Sequence, residues 1–394
     1  MPENDSPVDD NDKAKNSSGG LSAKFRAAKE KIRAFQQKVR PYQNTINKVR
    51  IVLYAIAIPW AVFIAVKSLP YYAAIGKGES YYKQGLYNDA EREFLFCYEQ
   101  CKTENPKDPR LARVLNNLGV LYKGTGRYRQ AAPYFKETVE IAEKYFPKRQ
   151  ELPVSLSNEG SLLNDEGMFA ESQKVFLRAI QCWKDNVRKD NDTKLASIYS
   201  GLARSLREQG KLDEAQSTAQ KALEMKERVS GKNSVDTAAV LENLGIILQK
   251  KGDFEPSEKF FNDALLIDRK AYGEKHPDVA SDECSLGRLC TEEGKLKEAR
   301  WLLEQSLGTR KAFFKIEHPT VARTISSIGE LDLKEGNGKA ATSNLAQALK
   351  TQTKFLGAQH PDTLETARAL EAAQALLSRK ETLKTANGCG ASQK

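Results

Sequence analysis

A glycine recurs along this chain at Gly85, Gly126, Gly167, Gly210, Gly252, Gly294 and Gly336, at intervals of 41 to 43 residues. Each sits in a fixed frame of other residues. Seven positions earlier stands a small residue: Gly78, Gly119, Gly160, Ala203, Gly245, Gly287 and Gly329. Five positions later comes Ala90, Ala131, Ser172, Ala215, Ser257, Ala299 or Ala341, and twelve later Cys97, Thr138, Ala179, Ala222, Ala264, Ser306 or Ala348. Nine later the residue is large and apolar (Phe94, Phe135, Phe176, Phe261, Leu303, Leu345) except at Ala219. A period of this length marks an array of supersecondary units. Two helices that cross closely need small side chains at the contact. The intervening glycine suits the point where one helix ends and the next begins, since positive φ costs it little. A single pair cannot bury its apolar face alone, so the units must stack into one continuous core.

The ladder resembles the tetratricopeptide repeat, most closely in "NNLGVLYKGTGRYRQAAPYFKETV" (116–139) and "ENLGIILQKKGDFEPSEKFFNDAL" (242–265). The long period and the turns "GEKHPDVA" (273–280), "KIEHPTVA" (315–322) and "GAQHPDTL" (357–364), with "GKNSVDTA" (231–238) as a degenerate copy, are similar to the kinesin light chain subtype. The resemblance covers roughly residues 71–377 and stops short of the N-terminus, where kinesin light chains carry heptads. It implies an all-α, right-handed α-solenoid of about seven helix pairs over 71–356, followed by a capping helix at 357–380 and a flexible tail at 381–394.

The N-terminal part reads differently. From Ile51 to Val66 the chain carries no charge, and continuing through Leu69 gives an apolar stretch near the minimum for a hydrocarbon core of roughly 30 Å. A transmembrane helix is therefore expected at 51–69, with Pro59 in mid-span. Nine Lys or Arg and a single Glu between Lys24 and Arg50 place the N-terminus on the cytoplasmic side of a single-pass protein. The repeats then lie across the membrane, on the periplasmic side in a bacterium, or face the cytosol in an organellar membrane. Residues 21–50 read as a basic amphipathic segment, with Leu21, Phe25, Ala28, Ile32, Phe35 and Val39 on one stripe, suited to an anionic leaflet or simply to a solvated linker. Residues 1–20 read as a disordered tail. The net charge of +10 is mostly this one basic block, so it does not argue for nucleic acid.

Catalytic and metal chemistry have no residues to name. The six cysteines (Cys97, Cys101, Cys182, Cys284, Cys290, Cys389) form no CxxC and no zinc spacing with histidine. All three histidines, His276, His318 and His360, open the repeat turns, each before a proline suited to a first helical position. No cofactor and no enzyme activity are expected. Function is expected on the first helices of the pairs, which the resemblance places on the concave face. There Asn117, Asn158 and Asn243 share one repeat position, which in the resembled family engages peptide backbone. Arg113, Asn116, Lys123, Asn164, Arg204, Arg207 and Arg288 stand on the same helices. Amides and guanidinium groups in a trough suit an extended peptide of acidic character. The expected role is a membrane-anchored scaffold that binds a segment of a partner protein. The alternative is an assembly factor that works by self-association or by stabilising a complex, without a dedicated groove.

Overall fold

The structure is a computed structural model that describes residues 26–38, 40–102, 108–187, 193–314 and 317–390, with the side chains of 43, 44, 46, 60–68 and 380–390 outside the description. The tail expected at 1–20, and Leu21, Phe25 and Val39 of the amphipathic stripe, lie outside the described residues. The chain divides into two units at Tyr72 and Ala73.

In the first unit a helix over 26–38 (α1) is solvent-exposed throughout, Ile32 and Phe35 included. A 41-residue helix, α2 (Gln43–Lys83), begins there and carries Pro59 and Pro70 within it. The expected membrane span is not upheld. Among the described residues no helix is long and apolar enough to cross a membrane. The single-pass localisation expected from the sequence, with its assignment of sides, goes with the span.

The second unit is all helix among the described residues. The end of α2 pairs with α3 (Tyr87–Lys102). Then follow α4 (Pro109–Gly124) with α5 (Tyr128–Tyr145), α6 (Glu151–Asp165) with α7 (Phe169–Asn186), and α8 (Thr193–Glu208) with α9 (Leu212–Ser230). The array continues with α10 (Val235–Lys251) and α11 (Phe254–Tyr272), α12 (Pro277–Glu292) and α13 (Leu296–Phe314), α14 (Pro319–Lys334) and α15 (Gly338–Phe355), and a last helix α16 (Pro361–Gly390). Each helix packs on the next, so the core runs the length of the array.

The rungs of this core are the small and large positions of the repeat. A Cβ placed on Gly119 would lie 2.6 Å from Phe135 Cε1, and one on Gly245 would lie 2.6 Å from Phe261 Cε1. Leu303 meets Gly287 and Leu345 meets Gly329 in the same way. The rings of Phe94, Phe135, Phe176 and Phe261 are all but fully buried, each worth about 1.5–3 kcal/mol. Serine is tolerated among the small positions because its hydroxyl finds a carbonyl: Ser172 donates to Gly160 and Ser257 to Gly245, both at 2.8 Å. The fourth pair departs from the rule, with buried alanine at both positions (Ala203, Ala219), and Phe176 of the preceding pair also presses on Gly201, where a Cβ has no room.

The turns behave as the spacing implies. All seven periodic glycines have φ between 72° and 85°. His276 and His318 cap the N-termini of α12 and α14, their Nδ1 atoms accepting from the backbone N–H groups of Asp278 and Thr320 at 3.2 Å. His360 Nδ1 accepts from Asp362 N at 3.1 Å in the same manner.

Candidate functional site

The first helices of the pairs, α4, α6, α8, α10, α12 and α14, turn polar side chains toward a cavity of about 740 Å³. Of the ten residues expected from sequence, Lys123, Asn158, Asn164, Arg204, Arg207, Asn243 and Arg288 line it. Arg113 and Asn117 instead hold Glu79, at 2.7 and 3.1 Å, and Asn116 accepts from the Asn158 amide.

The asparagines at the shared repeat position are all tied backward into the preceding first helix. Asn117 donates to Glu79, Asn158 to the Asn116 side-chain oxygen, and Asn243 to the Ser200 carbonyl at 3.2 Å. The Asn243 oxygen is also taken, by Arg207 Nη1. Asn164 is buried, donating to the Gly201 carbonyl at 3.1 Å and accepting from Ser205 at 2.9 Å. These amides link repeat to repeat as well as facing the cavity.

The charges divide into neutralised groups and a surplus. Asp165 receives Arg204 at 2.7 Å and Lys123 at 3.1 Å. Burial alone raises its carboxyl, but the two cations outweigh it and hold the pKa at about 2. Glu208 is held at about 2 in the same way, its burial overcome by Arg207 and Lys250. Arg323 pairs with Asp362 at 2.8 Å. In all, the described wall carries seven Lys or Arg (123, 204, 207, 250, 288, 310, 323) against five Asp or Glu (165, 208, 242, 362, 365). Arg310 is buried and donates to two neutral oxygens, the Thr320 carbonyl at 3.0 Å and the Thr324 hydroxyl at 2.6 Å. Its charge also acts on the buried Glu283, whose carboxyl burial raises and Arg269 and Arg310 pull down.

Sequence reasoning missed Arg310, Arg323, Tyr128, His318 and His360 at this wall. Tyr128 and Arg310 come from second helices, His318 and His360 from turns, and Arg323 from the last first helix, α14; the turns of the later repeats reach this wall because the array curls back on itself. His318 Nε2 donates to the Gly124 carbonyl at 3.1 Å and His360 Nε2 to the Asp165 carbonyl at 3.2 Å, across 194 and 195 residues of chain. At 42 residues per repeat that is about four and a half repeats. The sequence holds a parallel signal, since the two histidines recur 42 residues apart and the two partner turns 41, but nothing local states the curvature.

Among solved structures, NprR in complex with its cognate peptide NprX is similar at a TM-score of 0.55 and 15% identity, over 79% of this chain and 88% of that one. The apo form of RapI is similar at 0.54 and 13%, over 72% and 98%. A Rap protein complexed with Competence and Sporulation Factor is similar at 0.52 and 15%, over 81% and 98%. At these identities the likeness is one of fold. No curated protein matched the chain by sequence. The profile of the Tetratricopeptide repeat matches residues 72–144, 151–228 and 236–312. Those stretches make up more than half of the sequence and coincide with the glycine ladder and its helix pairs, so the chain belongs to the tetratricopeptide repeat family.

Proposed function

We propose that the array binds an extended, acidic peptide segment of a partner protein in the cavity lined by α4 to α14. The observation that carries this is the wall itself, with seven cationic against five anionic side chains and Arg310 buried against neutral oxygens. Guanidinium groups meet carboxylates in two parallel hydrogen bonds, which selects acidic residues. Ser157 and Ser200 share one repeat position and Ser197 and Ser281 another, and with Ser161 and Ser285 they supply short hydroxyls suited to the amides of an extended chain. NprR, which shares this fold, is in complex with its cognate peptide NprX, and that supports the same class of ligand here. On this reading Lys123, Asn158, Asn164, Arg204, Arg207, Asn243 and Arg288 contact the ligand. Arg113, Asn116 and Asn117 extend the surface toward the first repeat.

The test is capture of a partner by the full chain, mapping of its bound segment, and Arg288→Glu. Arg288 is drawn to Glu330 and Glu365 by charge but is half-exposed at the wall, so its reversal leaves the helical signal in place. Affinity for the mapped segment should fall tenfold or more, about 1.4 kcal/mol, with the largest loss at low salt. Undiminished affinity sets the cavity aside as the site.

One observation favours the assembly reading: the amides of Asn117, Asn158 and Asn243 are all engaged within the array. An assembly factor of this kind needs no groove. It is distinguished by partner binding that saturating peptide does not displace.

A further inference from the structure

The curling of the array closes the flank of its cavity, and the closure is built twice. At the first seam contact the Pro319 ring packs on Gly126, where a Cβ would lie 2.7 Å from Pro319 Cδ, while His318 donates to the Gly124 carbonyl. At the second, 42 residues on, Pro361 packs on Gly167 at the same 2.7 Å from a Cβ, and His360 donates to the Asp165 carbonyl. Gly124, His318, Pro319 and His360 are themselves part of the cavity wall, so the seam is the side of the chamber. The turn glycines are thus needed for close approach as well as for their positive φ.

We infer that the cavity accepts a ligand with a free chain end, threaded along the axis of the curl, and excludes an internal segment held at both ends by folded structure. This rests on the peptide reading above and narrows its ligand class. An open trough admits a loop sideways. A flank sealed by two histidine hydrogen bonds and two proline–glycine contacts does not, unless the seam parts first.

The seam is tested by His318→Asn together with His360→Asn in the full chain. Asparagine is a favoured N-cap and keeps the local turn. Its shorter amide does not reach the carbonyls of Gly124 and Asp165. Amide hydrogen exchange should then quicken at 118–128 and 160–170, far in sequence from either substitution, whereas a purely local capping role leaves those segments unchanged and overturns the seam. The ligand class is tested with acidic random-sequence peptides of about twelve residues, up to roughly 40 Å when extended. Each is fused to a small folded carrier at one end or at both. One-ended probes should bind the wild-type chain at least tenfold more tightly than two-ended probes, and the gap should close in the double variant. Equal binding of both probes to the wild type overturns this inference and leaves the peptide reading standing. Binding of neither probe, to wild type or variant, removes the peptide reading and this inference with it.

Discussion

The turn glycines of the first three repeats and of the next three look alike in every local respect. Gly85, Gly126 and Gly167 have φ of 72° to 76°, and Gly210, Gly252 and Gly294 have φ of 76° to 85°. Their surroundings differ. Phe313, Pro319 and Pro361 cover the first set, while nothing lies within 4 Å of where a Cβ would stand on the second. The histidine turns divide in the same way: His318 and His360 are buried at the seam, and His276 is not. A repeat therefore fixes the local conformation of each copy, and the curvature of the array decides which copies acquire a second partner.

The rungs supply the control for this contrast, because they are equivalent in both regions. Gly119→Leu and Gly245→Leu should destabilise the array about equally, at or beyond the upper end of the roughly 1–3 kcal/mol typical of overpacking. Each drives a branched side chain into a phenylalanine ring already in contact. Thermal melting of the two variants checks it, and a mild effect in one alone means that the rungs are not equivalent.

The next effect belongs to the seam. Burial pushes the His318 imidazole down to about 4 from an ordinary 6.5, despite its bond to the Gly124 carbonyl. With Nδ1 accepting and Nε2 donating, it is held as the neutral tautomer. As pH falls from about 6.5 to about 4 the unfolded chain takes up a proton that the folded chain refuses, so this contribution to stability is present above 6.5 and is lost across that window. The loss is on the order of 3 kcal/mol. Denaturant melts of wild type and His318→Asn from neutral pH down to about 4 should converge by that amount. Parallel curves would place His318 in water.

Much of this was legible in the sequence and some of it was not, for physical reasons. The rungs were readable because Gly78, Gly119, Gly160 and Gly245 precede their phenylalanines at one offset, and close helix crossing has few other solutions. The histidine caps were readable because proline follows each. The seam was not, because superhelical curvature is the sum of small rotations at many interfaces, and no single residue states it. For the same reason Arg310 and Arg323 were missed at the cavity wall. Asn117, Asn158 and Asn243 were found as a set, yet their spacing was silent on whether their amides turn to a ligand or to the preceding helix. The expected membrane span rested on the uncharged stretch from Ile51 through Leu69, but among the described residues no helix is long and apolar enough to cross a membrane.

The glycine contrast is tested directly by alanine. Gly210→Ala forces an L side chain into the left-handed region and should cost about 1–2 kcal/mol. Gly167→Ala has φ of 76° as well, and adds a methyl group 2.7 Å from Pro361 Cδ and 3.2 Å from His360 Cδ2. It should cost about 1–3 kcal/mol more. Equal losses for the two would mean that the seam yields freely.

The smallest effect concerns the turn that the curl leaves uncovered. His276 caps α12 through the Asp278 amide at 3.2 Å and stacks on Tyr272 with ring centroids 4.0 Å apart. Its side chain keeps 33% of its exposure, against 4% for His360. Water can replace the cap in the His276→Ala variant, so the loss should stay near 0.5–1 kcal/mol, the lower part of the range for N-caps. His318→Ala removes an equivalent cap, a ring stacked on Phe314 at 3.8 Å, and the bond that leaves the Gly124 carbonyl without its imidazole donor. The Gly124 carbonyl is half-buried, so losing its donor adds about 0.5–1.5 kcal/mol. Measured side by side at neutral pH, the two alanine variants separate what the repeat gives every turn from what the seam adds to one. If His276→Ala proves as costly as His318→Ala, the two turns share one environment, and the closed flank of the cavity loses its support.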